Sequence, residues 1–428
     1  MFRVVVVVGL ILAVVVPLYL IGTFPPPSNS YPANFDRLWH AVNAAYPYFH
    51  MKGVDWQAVY DAYRPKVNAV KDDAAYAALV GEMLATLDDG HTGVVDPSPR
   101  AGRTYFGTGR ALDDGIVIDQ LGPTGRAAGL SPGDVLVSAD GRPIEQALDA
   151  VPAALRSGST PLRRRHLAAF SVLSTTGSEL RVTVEKADGS QQSVTLVVPD
   201  TARQPASASP EAPGPPKPII TGERLASGIG LIRIPTLSHS TGQDLVAEFD
   251  AALDKLLDAP GLILDLRGNG GGDSRIGDAI AGRFLDRSFT YGVERFRLRL
   301  PQRGWAERFT YSVTPRGIPY KGPVVLLIDG GCFSSAEELI VALVDSGRAT
   351  TVGRPTGAGS GNPVTFALPH GGLARFSTGA FTRNDGTPIE GVGIIPDVPV
   401  PYTIADYRAE RDVDLVAAEA ILGGKTGS

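Results

Sequence analysis

The sequence predicts an α/β fold for the C-terminal half of the chain, preceded by a helical segment and a β-rich segment. Within residues 229–344, short apolar runs alternate with stretches of helical periodicity, which is typical of a sheet with buried, largely parallel strands. Residues 31–88 carry apolar side chains at helical spacing. Residues 104–199 contain short strands separated by glycine turns, including a hairpin signal at residues 187–189.

The composition is that of a globular protein. Of 428 residues, 43% are hydrophobic, and 45 acidic residues face 40 basic ones, for a formal net charge of −5. A chain with this charge balance gives no sign of the clustered basic surface that a nucleic-acid-binding protein needs. The 50 glycines and 34 prolines indicate frequent turns and disfavour long coiled coils. Cys332 is the single cysteine, which excludes an internal disulfide and a four-thiolate zinc site.

An uncharged apolar run of 18 residues extends from Val4 to Ile21. As a helix it would be about 27 Å long, close to the hydrocarbon thickness of a bilayer. Arg3 precedes the run, and no Lys or Arg lies between Gly22 and Asp36. The run therefore predicts a single-pass anchor at residues 4–21 in the cytoplasmic membrane, with the remaining chain on the extracytoplasmic side. A cleaved signal peptide is the alternative.

The remaining boundaries follow from changes in pattern. A Pro- and Ala-rich stretch predicts a linker between the β-rich segment and the α/β core. The predicted organisation is a helical domain at 31–98, a β-rich domain at 104–199, a linker at 200–220, an α/β core at 221–402, and a C-terminal helix and tail at 403–428.

A glycine-rich segment, Asp265–Gly272, follows a predicted buried strand. Glycines at such a position let backbone N–H groups face one point, as an oxyanion hole or a phosphate cradle requires. The Gly-Lys-Ser/Thr pattern of a phosphate-binding loop is absent. A flexible strand-to-helix turn is the alternative. Asp265 and Arg267 are expected to fix the end of the strand by pairing with each other rather than to react.

Ser334 follows a predicted strand, Val324–Ile328, and stands at the start of a predicted helix, Ser334–Val344, so its hydroxyl is expected near the positive end of that helix. A capping box is the alternative, because Glu337 and Glu338 lie three residues after Ser334 and Ser335. Cys332 is a rival nucleophile or a buried side chain. His91, in the segment Leu87–Thr92, closes a predicted helix and is a cap or a catalytic base.

The joint order of "LDDGHT", "LILDLRGNGGG", "CFSSAEEL" and "PIEGVGIIPD" resembles that of the tail-specific, or C-terminal processing, serine peptidases. No lysine lies between Lys321 and Lys425, which excludes a Ser-Lys dyad built from that region. The forms "GRPTG" and "DGHT" are instead similar to the tricorn-core branch of that family.

This resemblance implies a crotonase/ClpP-like core in which Ser334 is the nucleophile, with Ser335 as the alternative. It also implies that His91 is the general base, that Glu390 orients it, and that the N–H groups of Gly271 and Ser335 form the oxyanion hole. Neither a metal nor an organic cofactor is implied.

The run "AGLSPGDVLVSADGRPI" resembles a PDZ domain. PDZ domains bind an extended chain as an added strand and hold its carboxylate on loop amides. The expected loop here is Phe106, Gly107, Thr108 and Gly109, with an ordinary surface turn as the alternative. The basic run at residues 163–166 is expected to be solvated.

The sequence thus predicts a membrane-anchored serine peptidase that cuts polypeptides and uses a PDZ-like domain to select or present them. The expected partners are polypeptide substrates and the membrane, without nucleic acid, and the sequence assigns no oligomeric state. One alternative is an inactive, membrane-tethered binding protein with the same domains. Another is a crotonase-like acyl-thioester hydrolase.

Overall fold

The computed structural model describes residues 28–98, 100, 102–199, 218–298 and 304–425. The predicted anchor at residues 4–21 lies outside the described residues. Within the described part of the chain, no helix has both the length and the apolarity needed to cross a membrane.

The α-helices are numbered here in chain order. They are α1 Tyr31–Ala45, α2 Phe49–Lys52, α3 Trp56–Tyr63, α4 Asp73–Ala85, α5 Pro123–Ala127, α6 Ile144–Asp149, α7 Ala153–Arg156, α8 Pro161–Ser171, α9 Leu245–Asp254, α10 Ser274–Ala281, α11 Ser335–Asp345, α12 Ile404–Arg408 and α13 Val413–Lys425.

The strands are numbered in the same way. They are β1 Gly93–Asp96, β2 Thr104–Tyr105, β3 Gly107–Leu112, β4 Gly115–Leu121, β5 Val135–Ala139, β6 Arg142–Pro143, β7 Ser174–Thr175, β8 Glu179–Glu185, β9 Gln191–Val197, β10 Thr221–Arg224, β11 Gly230–Arg233, β12 Leu262–Asp265, β13 Phe289–Leu298, β14 Gly304–Val313, β15 Val324–Ile328, β16 Ala349–Gly353, β17 Val364–Ala367, β18 Leu373–Phe376, β19 Gly379–Arg383 and β20 Val398–Pro399.

The chain divides into two compact units. The first, called the helical unit here, comprises the described residues within 28–100, 295–307 and 361–380. Its helices α3 and α4 begin at N-caps Asp55 and Asp72, whose carboxylates accept backbone N–H groups. The apolar faces of α1 and α4 share a core, in which the Trp39 and Trp56 indoles each donate to the other residue's carbonyl oxygen.

The second unit comprises residues 102–294, 308–360 and 381–428. Its first part, residues 102–199, forms an antiparallel sheet in the order β3-β4-β5-β8-β9. The predicted hairpin is confirmed, because β8 and β9 pair on either side of residues 186–190, where Gly189 has a φ of +82°.

The expected loop at residues 106–109 is wrong. Gly107–Gly109 open strand β3, which pairs with β4. The Phe106 ring is buried, and its N–H donates to the carbonyl oxygen of Leu173. Helix α8 covers strand β3, since a Cβ placed on Gly109 would lie 2.5 Å from the Ala169 carbonyl oxygen.

The rest of the second unit contains the predicted α/β layer. Its sheet has the order β10-β11-β12-β15-β16-β20, and all pairs from β11 to β20 are parallel. Alternation along β12 separates two cores: Leu262 and Leu264 pack with α9, α10 and α11, whereas Ile263 packs with α13. This layer arrangement explains why the strands read as continuous apolar runs.

Candidate active site

The segments that follow β12 and β15 carry the predicted nucleophile and both predicted oxyanion-hole residues. Because these strands are parallel, their carboxyl ends lie at one edge of the sheet. The glycine-rich segment follows β12, and the segment that ends in Ser334 follows β15. The Phe333 N–H donates to the Asn269 carbonyl oxygen at 2.9 Å, so the two segments are in direct contact.

Ser334 lies immediately before α11 in an uncommon backbone conformation, with φ +59° and ψ −132°. A non-glycine residue in this region stores about 1–3 kcal/mol of strain and persists only when its surroundings hold it. Its N–H donates to the carbonyl oxygen of Gly359 at 3.1 Å and to Glu337 Oε2 at 3.2 Å. The Ser334 side chain therefore begins at the positive end of a buried helix, as predicted.

Gly271 packs directly against this turn. Its φ is +89°, and a Cβ at this position would lie 2.6 Å from the Phe333 carbonyl oxygen and 2.9 Å from the Ser335 nitrogen. The Gly271 N–H donates to Asn269 Oδ1 at 2.9 Å. The structure thus brings together the two predicted oxyanion-hole residues, with the Gly271 donor held by an asparagine that sequence reasoning did not identify.

The side chains of the two rival nucleophiles are engaged elsewhere. Ser335 Oγ donates to the Gly272 carbonyl oxygen at 3.0 Å. Cys332 is fully buried, its Sγ donates to the Leu266 carbonyl oxygen at 3.0 Å, and burial raises the pKa of its thiol well above the usual range. A buried, protonated thiol is a poor nucleophile.

Asp265 and Arg267 form a structural ion-pair network, as predicted. The Arg267 guanidinium donates two hydrogen bonds to Asp265, of 2.9 and 2.8 Å, and two to Asp412, of 2.7 and 2.9 Å. Asp414, whose side chain is 2% exposed, accepts from Arg267 and, twice, from Arg354. This network fixes the end of β12 beside the glycine-rich segment.

Glu337 has a larger role than the predicted helix cap. The side chain is fully buried, and its Oε1 accepts the Thr356 hydroxyl and, at 3.0 Å, the Ala358 N–H. Its Oε2 accepts the N–H groups of Ser334 and, at 2.8 Å, Gly359. Burial raises the pKa of Glu337 to about 7, against the effect of these four donors. The Ser-x-x-Glu spacing pointed to the Ser334 contact, but no local signal pointed to residues 356–359.

Glu390 is fully buried in the second unit. Its Oε2 accepts the N–H of Ser360 at 3.1 Å. The segment around it is tied to residues 356–358: the Gly391 N–H donates to the Ala358 carbonyl oxygen at 3.0 Å, and the Ile394 N–H donates to Thr356 Oγ1 at 2.8 Å.

His91 belongs to the helical unit, where it is 3% exposed. The backbone N–H of His91 donates to Asp89 Oδ1 at 2.8 Å. The imidazole lies next to Gly361, since a Cβ placed on that glycine would be 3.4 Å from His91 Nδ1. Burial lowers the pKa of His91 to about 4, while Asp89 opposes this shift and Arg375 adds to it. The imidazole is therefore neutral at physiological pH and in the form that accepts a proton.

The basic run of α8 is not simply solvated, contrary to expectation. Arg163 Nη1 donates to the Gly330 carbonyl oxygen at 2.6 Å, and the guanidinium lies 5.4 Å from the centroid of the Phe333 ring. His166 touches the same segment, since a Cβ on Gly330 would lie 2.7 Å from its Nδ1. Helix α8 therefore contacts the residues that precede Ser334, a contact between distant parts of the chain that no local pattern reports.

One cavity in the described part of the second unit is not lined by Ser334. It has a volume of about 970 Å³ and is lined by charged side chains of residues 110–188 and 402–414, together with Arg267 and Arg354. Ser334, Gly271 and Glu390 are not among its lining residues. Among the described residues, no group of three or more His, Cys, Asp or Glu side chains is arranged to hold a metal ion.

Comparison with known proteins identifies two domain types in the chain. The model of peptidase family S41 matches residues 228–400, and the model of the tricorn protease C1 domain matches residues 27–85. Residues 228–400 therefore form a peptidase S41 domain, and residues 27–85 correspond to a tricorn C1 domain. Neither family model covers the β-rich part at residues 104–199.

Similarity to known peptidases extends over most of the chain. A carboxyl-terminal-processing protease of Synechocystis sp. is 28% identical over 411 residues, which is 90% of this chain and 85% of the relative. A putative tricorn protease homolog 2 of Streptomyces coelicolor is 24% identical over 90% of this chain and 31% of its own length. The crystal structure of mature CPAF shares the fold, with a TM-score of 0.69 at 16% identity over 93% of this chain and 96% of that one. The chain is accordingly a serine-type peptidase.

Proposed function

We propose that this S41 peptidase hydrolyses polypeptides through an acyl-enzyme formed on Ser334, with His91 as general base and Glu390 as the carboxylate that orients it. The observation that carries the proposal is the backbone of Ser334, held at φ +59° before α11 and directly beside Gly271. Strained backbone of this kind is typical of functional residues. Ser335 and Cys332 are disfavoured as nucleophiles by their existing hydrogen bonds.

The proposed reaction is an acyl transfer in two stages. Ser334 Oγ attacks the scissile carbonyl carbon while His91 takes the hydroxyl proton, and the carbonyl oxygen becomes an oxyanion. The C–N bond then breaks, and His91 returns the proton to the leaving amine. His91 then deprotonates a water molecule, which attacks the acyl carbon; the ester bond to Ser334 Oγ breaks, His91 returns the proton to Oγ, and the second product leaves with a new carboxyl group.

The oxyanion is proposed to rest on the N–H groups of Gly271 and Ser335. One such donor contributes about 3 kcal/mol to stabilisation of the transition state. In this structure the Gly271 N–H faces Asn269 Oδ1, so binding of an oxyanion requires this side chain to release or share the donor. The Asn269 amide nitrogen stays anchored on the Ile234 carbonyl oxygen at 2.8 Å, which leaves a small rotation as the simplest route.

A pKa of about 4 makes His91 neutral but only weakly basic, so its proposed role as a base requires a carboxylate that stabilises the protonated ring. Glu390, itself fully buried, is proposed to supply that charge.

Residues 104–199 are proposed to act as a PDZ-like domain that selects or presents substrate chains. Strand β3 is an edge strand of the sheet, and an added peptide strand pairs with such an edge. Helix α8 covers this strand, so admission of a peptide requires α8 to shift. Because α8 also contacts the segment before Ser334 through Arg163, such a shift reaches the nucleophile.

Residues 4–21 are proposed to anchor the enzyme in the cytoplasmic membrane with the catalytic part outside. The support is the uncharged run and the distribution of arginine and lysine around it. Protease added to intact spheroplasts should degrade the catalytic part, and recovery of a full-length protected protein would contradict this orientation.

The peptidase proposal is tested by incubating a peptide library with wild type, Ser334→Ala and Ser346→Ala. Ser346 is the matched control, since its hydroxyl donates to the Leu343 carbonyl oxygen at the far end of the same helix. We expect cleavage by wild type and Ser346→Ala and none by Ser334→Ala. Equal cleavage by all three proteins would refute the assignment of Ser334.

A further inference from the structure

The nucleophile and the proposed orienting carboxylate lie on segments joined by a chain of buried hydrogen bonds. Glu337 holds the N–H of Ser334 with one oxygen and the Thr356 hydroxyl with the other. Thr356 Oγ1 in turn accepts the Ile394 N–H at 2.8 Å, four residues after Glu390. Every group named belongs to the second unit.

The same carboxylate also fixes the segment between these points. Ala358 and Gly359 each donate an N–H to Glu337, and the Gly359 carbonyl oxygen accepts from Ser334. The Ala358 carbonyl oxygen accepts from Gly391, the residue after Glu390. Residues 356–359 thus connect the turn at Ser334 with the segment at Glu390.

We propose that Glu337 and Thr356 are positioning residues, which hold the Ser334 turn and the Glu390 segment in the spacing that catalysis needs. This inference rests on the proposed function of Ser334 and Glu390. Neither positioning residue touches the substrate; each acts through the backbone that it fixes.

The chemistry of the site explains why a carboxylate occupies this position. Four donors converge on two oxygens, and an ionised carboxylate has only acceptors. A glutamine would place its NH₂ group against either Thr356 and Ala358 or Ser334 and Gly359. In either orientation the glutamine NH₂ group, itself a donor, would face two buried donors, and leaving buried donors without an acceptor is costly.

Thr351 provides a matched control for Thr356. Both hydroxyls are buried, each donates to a carboxylate, and each accepts a backbone N–H. The partner of Thr351 is Asp397, on the same stretch of chain as Glu390 but without any link to Ser334. Replacing either threonine with valine removes the same two hydrogen bonds at nearly constant volume.

The experiment compares kcat, KM and the melting temperature of wild type, Thr356→Val, Thr356→Ser and Thr351→Val, with mass-spectrometric mapping of a fluorophosphonate adduct. We expect Thr356→Val to lower kcat about 10- to 100-fold with KM changed less than about threefold, as for lost hydrogen bonds that act on the transition state. Thr356→Ser, which retains the hydroxyl, should recover most of kcat. Thr351→Val should keep kcat within about twofold of wild type at a similar loss of melting temperature.

Equal loss of kcat in Thr356→Val and Thr351→Val would overturn the inference, as would a Thr356→Ser variant as impaired as Thr356→Val. Glu337→Gln is the second variant, with an expected loss of kcat of about 100-fold or more. If the adduct maps to Ser334 but this pattern fails, only the positioning role is lost. If the adduct maps elsewhere in wild type, the proposed function and this inference fall together.

Discussion

Gly271 and Ser334 are packed so closely that no side chain fits between them: a Cβ on Gly271 would lie 2.9 Å from the Ser334 Cβ. The contact sets the distance between the proposed oxyanion donor and the proposed nucleophile. It also explains why residue 271 is a glycine: only glycine tolerates both a φ of +89° and so close a contact with Ser334.

Gly271→Ala should therefore abolish activity while the fold survives. The added methyl group must displace the Ser334 turn, so we expect a loss of kcat/KM of at least about 100-fold, comparable to loss of an oxyanion-hole donor. Gly347→Ala is the control, since Gly347 has a φ of +74° with nothing within 4 Å of an added Cβ. It should cost about 1 kcal/mol of stability and leave kcat/KM unchanged. Equal kcat/KM in the two variants would contradict the packing argument.

Asp414 should be among the most sensitive positions of the core. Its side chain is 2% exposed and accepts hydrogen bonds from both Arg267 and Arg354. Asp414→Asn leaves two arginines without this charge, and we expect a loss of about 3 kcal/mol in the free energy of unfolding, measured by urea denaturation. The control is Asp258→Asn, which removes the carboxylate of an ion pair with Arg224 whose Asp258 side chain is 82% exposed, and it should cost less than about 1 kcal/mol. A similar cost at both positions would argue against a structural role for the network.

His91 should make the protein less stable in acid. Its pKa falls from 6.5 in the unfolded chain to about 4 in the folded protein, so the unfolded state binds more protons between these values. The contribution is fully present above pH 6.5 and is lost as the pH falls towards 4, by about 3 kcal/mol in total.

The measurement is the difference in free energy of unfolding between wild type and His91→Gln at several pH values. This difference should shift against wild type as the pH drops from 6.5 to 4. Glu337 and Glu338, whose pKa values burial raises to about 7 and about 8, are present in both proteins and cancel. A difference that does not change with pH would show that His91 is not held neutral.

Arg163 should matter for turnover although it lies in the β-rich part of the chain. Arg163→Met removes the hydrogen bond to Gly330 and the contact with Phe333, and kcat/KM should fall about tenfold. Arg164→Met is the matched control, because Arg164 donates to Gly158 within its own segment. Steady-state kinetics with one peptide substrate makes the comparison. Identical kinetics of the two variants would remove the link between α8 and the nucleophile.

Much of the α/β core was predictable because its signals are local. The predicted strand Val324–Ile328 is observed with the same bounds, and the predicted helix Ser334–Val344 is observed as Ser335–Asp345. Continuous apolar runs report burial on both faces of a sheet, and parallel pairing then brings the strand ends together.

The groups that hold the site were not predictable in the same way. Glu337 meets residues 356–359, and Arg163 meets Gly330, across separations of about 20 and 167 residues that leave no periodic signal. Residues 106–109 show the opposite failure: glycines that suggested a loop are required by close packing within a sheet. Motif order indicated the proposed reactive groups, whereas tertiary contacts determine what holds them in place.

The central claim is that Ser334 is the nucleophile, and the most direct measurement is the site at which a fluorophosphonate attaches. Wild type should carry a single adduct on the peptide that contains Ser334, and fragmentation should place it on this residue rather than on Ser335. Ser334→Ala should remain unlabelled, and Ser335→Ala should still be labelled at Ser334. An adduct on any other residue of the wild-type protein would contradict the account.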